Sequence, residues 1–233
     1  MTLHEFIYGA YPYLAGTIFL LGSWVRFDRE QYTWKSDSTQ LLDKRNLRVA
    51  SNLFHIGIIA IFFGHLVGLL TPHSWFLAMG VTDMAHQNVA IIAGSVFGTM
   101  CLIGGAMLWL RRIGNSRVRA ATRAMDIFIL SWLMVTLMLG LSTLPVSVSH
   151  ANHGDPSVMI ALANWAQSVA TLHPNPALLA EVDTIFKIHL FFGMSIFLLF
   201  PFSRLVHIWS APVGYLGRAY QLVRTKRPRP MMP

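Results

Sequence analysis

Cysteine is nearly missing from this chain: of 233 residues only Cys101 carries a thiol. A disulfide framework and a cysteine-held iron–sulfur cluster within the chain are thereby excluded. Charge is scarce as well. Asp, Glu, Lys and Arg make up 12% of the residues, roughly half the share of a soluble domain. Acidic groups are the scarcest, with 10 Asp and Glu against 18 Lys and Arg. Neither a glycine-rich phosphate loop nor a nucleophile elbow occurs, so the usual nucleotide and acyl-transfer motifs are absent.

What the chain has instead is apolar length. It is 54% hydrophobic, with a mean hydropathy of +0.51. Five apolar runs stand at roughly 5–25, 49–71, 88–110, 125–147 and 185–208. A run of about 20 such residues crosses about 30 Å of hydrocarbon. The expected fold is an all-α integral membrane protein, one domain over 1–233, with five transmembrane helices and a basic tail at 209–233. The first run is read as a span rather than a removable leader, because Arg26 and Arg29 follow it and no basic segment precedes it.

The net charge of +8 does not indicate nucleic acid, because the basic residues are sorted. Six lie in 26–48, five in 111–123 and six from Arg204 onward; only Lys187 stands elsewhere. Five spans put all but that one on the same side. The positive-inside rule then places the N-terminus outside and the C-terminus in the cytoplasm. The basic tail suits either lipid headgroups or a cytoplasmic partner. Trp24, Trp34, Trp75, Trp109 and Trp209 fall near expected span ends, where interfacial rings are favoured. The outer loops are 72–87 and 148–184. Within the second, Val158, Ala161, Leu162, Trp165, Val169 and Leu172 recur at helical spacing, which predicts a helix over 157–172 lying at the outer surface. Gly57, Gly64 and Gly68 on the second span allow close helix packing or room for a flat macrocycle.

Four histidines sit inside the spans: His55 and His65 on the second, His189 and His207 on the fifth. An imidazole in lipid is costly and marks function. The second span runs outward and the fifth inward. His55 stands ~10 Å past Arg48 and His65 about 15 Å further out, while His207 lies ~27 Å inward of His189. Depth therefore pairs His65 with His189 near the outside and His55 with His207 near the inside. On ideal helices His189 and His207 share a face, whereas His65 is turned by about 80° from His55; a kink at Pro201 would help reconcile the two spacings. Zinc wants four ligands at one point. Two ligands at each of two depths suit axial ligation of two b haems held between helices 2 and 5. Arg111, Arg112 and Arg204 are near the inner end and are candidates for the haem propionates.

The stretches ASNLFHIGI (50–58), GH (64–65), LTPH (70–73), CLIGG (101–105) and FPFSRLVHIWS (200–210) resemble the gamma subunit of respiratory nitrate reductase. GSWVRFD (22–28), QYTW (31–34) and YQLVR (220–224) fit the same pattern. The resemblance covers nearly the whole chain. It implies five spans and two b haems, the outer held by His65 and His189 and the inner by His55 and His207. It further implies that quinol is oxidised beside the outer haem with protons released outside. Electrons would pass inward to an iron–sulfur beta subunit and a molybdenum-containing alpha subunit, which reduces nitrate, in a bacterial or archaeal plasma (inner) membrane. His86 falls where the family carries a quinol-binding lysine, and can accept a proton near neutral pH. His65 would serve twice, binding iron through one nitrogen and quinol through the other. His150, His153 and His173 receive no role.

Three other readings are weaker. A haem-free anchor needs no membrane histidines. A transporter or proton relay would show internal repeats and buried carboxylates, but near the spans only Glu5, Asp126 and Asp183 occur, all at ends. A formate dehydrogenase or hydrogenase cytochrome is disfavoured by the sequence around LTPH and FPFSRLVHIWS.

Overall fold

The computed structural model describes residues 1–34 and 39–210, all of them helix or connection with no strand among them. Lys35 and the expected basic tail beyond Ser210, including YQLVR, lie outside the described residues. The helices are α1 (Leu3–Glu5), α2 (Tyr11–Arg29), α3 (Leu47–Leu70), α4 (His73–Ala78), α5 (Asp83–Gly114), α6 (Ser116–Ala120), α7 (Ala124–Asn152), α8 (Ser157–Ala170) and α9 (Thr184–Leu199). By length and composition α3, α5, α7 and the segment Thr184–Phe202 can cross a membrane.

The first expected span is not among these four, and its sequence explains why. A capping box between Thr2 and Glu5 starts α1, and a π-helical turn over Phe6–Ala10 joins it to α2. The resulting rod from Leu3 to Arg29 is about 40 Å long. Its tyrosines, glycines, Pro12 and terminal charges make it more polar than the other four. Pro12 has no N–H to offer the Tyr8 carbonyl four residues back. That carbonyl accepts instead from the indole of Trp165 on α8, at 2.9 Å.

α5 is the packing centre, with α3 on one side and α7 on the other; α7 in turn packs on α9, and α9 on α2. Small residues make the α3–α5 seam. A Cβ on Gly57 would stand 2.7 Å from the Cys101 Cβ, and one on Gly104 would strike the Phe54 nitrogen and the Ala50 carbonyl. Cys101 is consequently fully buried. Lipid gives no hydrophobic drive for helix association, so such close backbone approach supplies the attraction through dispersion.

The fifth span does not continue to residue 208 as one helix. The kink expected at Pro201 is a full break: α9 ends at Leu199, Phe200–Phe202 form a 3₁₀ turn, Ser203 is extended, and Arg204–Ser210 form a second 3₁₀ segment. Breaking a helix exposes carbonyls, and Arg26 at the end of α2 takes them. Its guanidinium donates to the carbonyls of Pro201 (2.6 Å), Ser203 (2.8 Å) and Thr33 (3.1 Å). Gly22, one turn earlier, makes room for the Pro201 ring, since a Cβ there would stand 2.8 Å from its Cγ. Phe19 packs edge-on against Phe200, and the Trp34 indole donates to the Ser210 hydroxyl at 2.6 Å.

α8 forms where expected, but its apolar stripe faces the protein. Trp165, only 5% exposed, joins Tyr8, Leu179, Val182 and Phe186 in a core, with Val158, Ala161, Leu162 and Val169 packed around it. Leu172, expected on that stripe, lies beyond the helix end at a positive φ and is 73% exposed. Gln167 on α8 donates to the carbonyls of Leu69 and Thr71, both at 3.1 Å, and so closes the exposed end of α3.

Cys101 reports on the α3–α5 seam. Gly104→Leu should pry the seam open at a cost of about 1–3 kcal/mol, lowering the melting temperature and speeding maleimide capture of this chain's one thiol. Unchanged labelling and melting would show that the glycine contact does not hold the two helices together.

Candidate functional site

The four membrane histidines share one local device. Nδ1 of His55 donates to the Ser51 carbonyl at 2.7 Å, that of His65 to Ile61 at 2.8 Å, that of His207 to Arg204 at 2.6 Å, and that of His189 to Thr136 at 3.1 Å. With Nδ1 committed, each ring has one nitrogen, Nε2, for a further ligand. This is the arrangement that metal-binding histidines use to fix tautomer and ring orientation.

His65 and His189 face each other with ring centroids 6.1 Å apart and planes inclined at 51°. A metal ion about 2 Å from each of two opposed imidazole nitrogens would set the centroids about 6 Å apart. His55 is near enough to His207 to act on its charge. The His207 ring belongs to the segment after the helix break, so the whole-turn spacing computed along one helix from His189 does not set its direction. Among the described residues no group of three or more His, Cys, Asp and Glu converges; the donor set comes in pairs.

Flat space accompanies the pairs. α3 and α9 are not close-packed neighbours. Gly64, beside His65, and Gly193, one turn beyond His189, have nothing within 4 Å of where a Cβ would stand. Gly57, by contrast, is consumed by the α5 seam, so the two readings of the second-span glycines apply to different glycines. The His65–His189 pair, with fixed tautomers, an iron-sized separation and open glycine faces beside it, has the donor set and the room that a b-type haem needs.

The three arginines expected near the inner end lie close to one another. Arg204 and Arg111 are both close enough to Arg112 to act on its charge. Arg111 is strongly engaged: it donates to the Thr39 hydroxyl (2.9 Å) and to the carbonyls of Thr39 (3.0 Å) and Asp43 (2.6 Å), which pins the connection before α3 onto the end of α5. Arg112 lies 3.9 Å from the Asp126 carboxylate. Arg204 is tied to His207 through its own carbonyl.

At the opposite end His86 stacks on Phe76, with centroids 4.2 Å apart and planes at 30°. Its Nε2 stands 3.4 Å from where a Cβ on Gly68 would be, and Gly68 is one turn beyond His65 on α3. The His73 ring pairs with Asp83 at 3.1 Å beside it. The Nδ1 of His65 is held by Ile61, so a bond from that nitrogen to quinol would have to displace the carbonyl. His150 lies 3.6 Å from Asp183, while His153 and His173 donate to nearby main-chain carbonyls.

Sequence reasoning missed Arg26 as the clamp on the broken fifth span, the His73–Asp83 pair, and the contribution of α7 to His189. Arg26 and His73 had a signal, their places in GSWVRFD and LTPH.

A family model described as nitrate reductase gamma subunit matches residues 4–226. The respiratory nitrate reductase 1 gamma chain of Escherichia coli (strain K12) is 51% identical over 225 residues, covering 96% of this chain and 98% of that protein. The respiratory nitrate reductase 2 gamma chain of the same organism is 50% identical over 226 residues, covering 97% and 98%. The nitrate reductase gamma chain of Bacillus subtilis (strain 168) is 29% identical over 222 residues, covering 95% and 98%.

Proposed function

The chain belongs to the nitrate reductase gamma subunit family, and on that premise we propose that it is the dihaem cytochrome b anchor through which a respiratory nitrate reductase oxidises quinol. The observation that carries this reading is the set of four membrane histidines, each with Nδ1 taken by a main-chain carbonyl and Nε2 left for a metal. His65 and His189 would hold one haem, and His55 and His207 the other. Bound there, the two haems supply one-electron carriers between a quinol on one side and iron–sulfur beta and molybdenum-containing alpha subunits on the other.

The rod Leu3–Arg29 is the first of five crossings. The end bearing Arg26, Arg111, Arg112, Arg123 and Arg204 faces the cytoplasm by the positive-inside rule, where it meets the beta subunit. Of these, Arg111, Arg112 and Arg204 would offer the anionic propionates of the inner haem a cationic surround. At the outer end His86 accepts a quinol proton at a ring nitrogen, and the His73–Asp83 pair beside it hands protons to the outer water. α8, with its core of Trp165 and Tyr8, closes the end of α3 and keeps water from the membrane histidines.

Two substitutions test the halves of this reading. Replacing His55 or His207 by Ala should remove the inner haem's absorbance and leave the outer haem in place; both signals intact would refute the ligand assignment. His86→Ala should lower kcat/KM for quinol by on the order of 10²-fold, the low end of what a positioned acid–base group contributes. His86→Lys should retain most of the activity, and nitrate reduction driven by a dye at the cytoplasmic subunits should be unaffected. Quinol turnover at the wild-type rate and affinity in His86→Ala would take His86 out of the site.

A further inference from the structure

The four histidines differ in whose carbonyl they use. His55 and His65 bond to carbonyls four residues back on their own helix, and His207 to one three residues back. His189 alone reaches across to another helix, to Thr136 on α7. α7 contributes no histidine to either pair, so its part in the site has to be indirect.

The reach depends on a missing side chain. Gly140 follows Thr136 by one turn, and the His189 ring lies against its Cα. A Cβ on Gly140 would stand 2.9 Å from Cε1, 3.3 Å from Nε2 and 3.4 Å from Nδ1 of that ring. Any other residue would push the imidazole away from the Thr136 carbonyl. Glycine inside a helix is unfavourable, so its presence here calls for a packing reason, and the ring supplies one. The hydroxyls nearby are turned away: Thr136 Oγ1 donates to the Trp132 carbonyl at 2.9 Å, and Thr143 Oγ1 to the Gly140 carbonyl at 2.7 Å. One turn before Thr136, the Trp132 indole donates to the Phe192 carbonyl at 3.2 Å and stacks on the Phe192 ring at 4.6 Å. Trp132, Thr136 and Gly140 thus form one stripe of α7 at four-residue intervals, and the stripe grips α9 at His189 and one turn beyond it.

We infer that this stripe is a positioning seat for His189, setting the ring's orientation and its strength as a ligand to the outer haem. The inference rests on the haem reading given above. A carbonyl drawing on Nδ1–H makes Nε2 more basic, and a more basic axial ligand favours the oxidised iron and lowers its potential. Because the carbonyl comes from another helix, the potential of the outer centre is tied to the α7–α9 contact at Thr136, whereas the inner pair takes its carbonyls from within single segments.

The test uses the membrane-bound complex with its partner subunits, and reads each haem separately by redox-titrated optical spectroscopy. Gly140→Ala should raise the midpoint potential of the outer haem or cost its absorbance, with the inner haem unmoved. Trp132→Phe, which keeps the stacking and loses the indole bond, should give a smaller upward shift in the same haem. Gly16→Ala, where nothing lies within 4 Å of the added methyl, should change neither. Dye-driven nitrate reduction at the cytoplasmic subunits should match wild type in all three. Outer and inner potentials both unchanged in Gly140→Ala and Trp132→Phe would overturn the seat, as would equal shifts in the two haems, because the effect would then be global. A wild-type complex without two haems would remove the haem reading itself rather than the seat.

Discussion

An imidazole in a bilayer has two nitrogens to satisfy and no water to satisfy them, and this requirement organises the molecule. A helix already spends its carbonyls on its own N–H groups, so a second donor must share one. His55 and His65 do so within α3. His207 can do so because it stands in a tight 3₁₀ segment. His189 borrows from α7. Each solution leaves Nε2 as the nitrogen with capacity to spare, which is what the proposed axial ligation asks of these four rings.

The broken fifth span follows from the same economy of hydrogen bonds. Pro201 stops the helix, and the carbonyls released by the break would be costly at membrane depth. Arg26 reaches in from α2 and takes two of them. The clamp fixes the break just ahead of Arg204 and His207, the two residues that follow it on the last segment. A side chain that counts, in sequence, only as one more basic residue is thus what holds the broken end of the fifth apolar run in shape. The connection before α3 is fixed in the same way, by Arg111 on the carbonyls of Thr39 and Asp43.

Much of this was legible in the sequence, because membrane crossing imposes length and apolarity that few other structures require. α5 and α7 contain the apolar runs expected at 88–110 and 125–147, with one or two further turns at their ends, and α3 matches the run at 49–71 to within two residues at each end. α8 was legible from its period, although its apolar stripe meets Tyr8 and Leu179 rather than the membrane surface. The opposition of His65 and His189 followed from depth alone. Direction did not, since a residue's angle about a helix axis carries through only while the helix is unbroken, and Pro201 ends it before His207. The Gly140 contact was invisible for a different reason: a glycine in an apolar run carries no sign of which ring will occupy the space beside it. Arg26 was hidden among the charges that the positive-inside rule already explains.

The central claim is that two bis-histidine centres lie within this one chain. It is tested most directly by redox titration of the purified, membrane-extracted complex, with haem b quantified per copy of this subunit. The account predicts two b-type haems per chain, with α-band absorbances that titrate as two separate components. One component, or none, would contradict it.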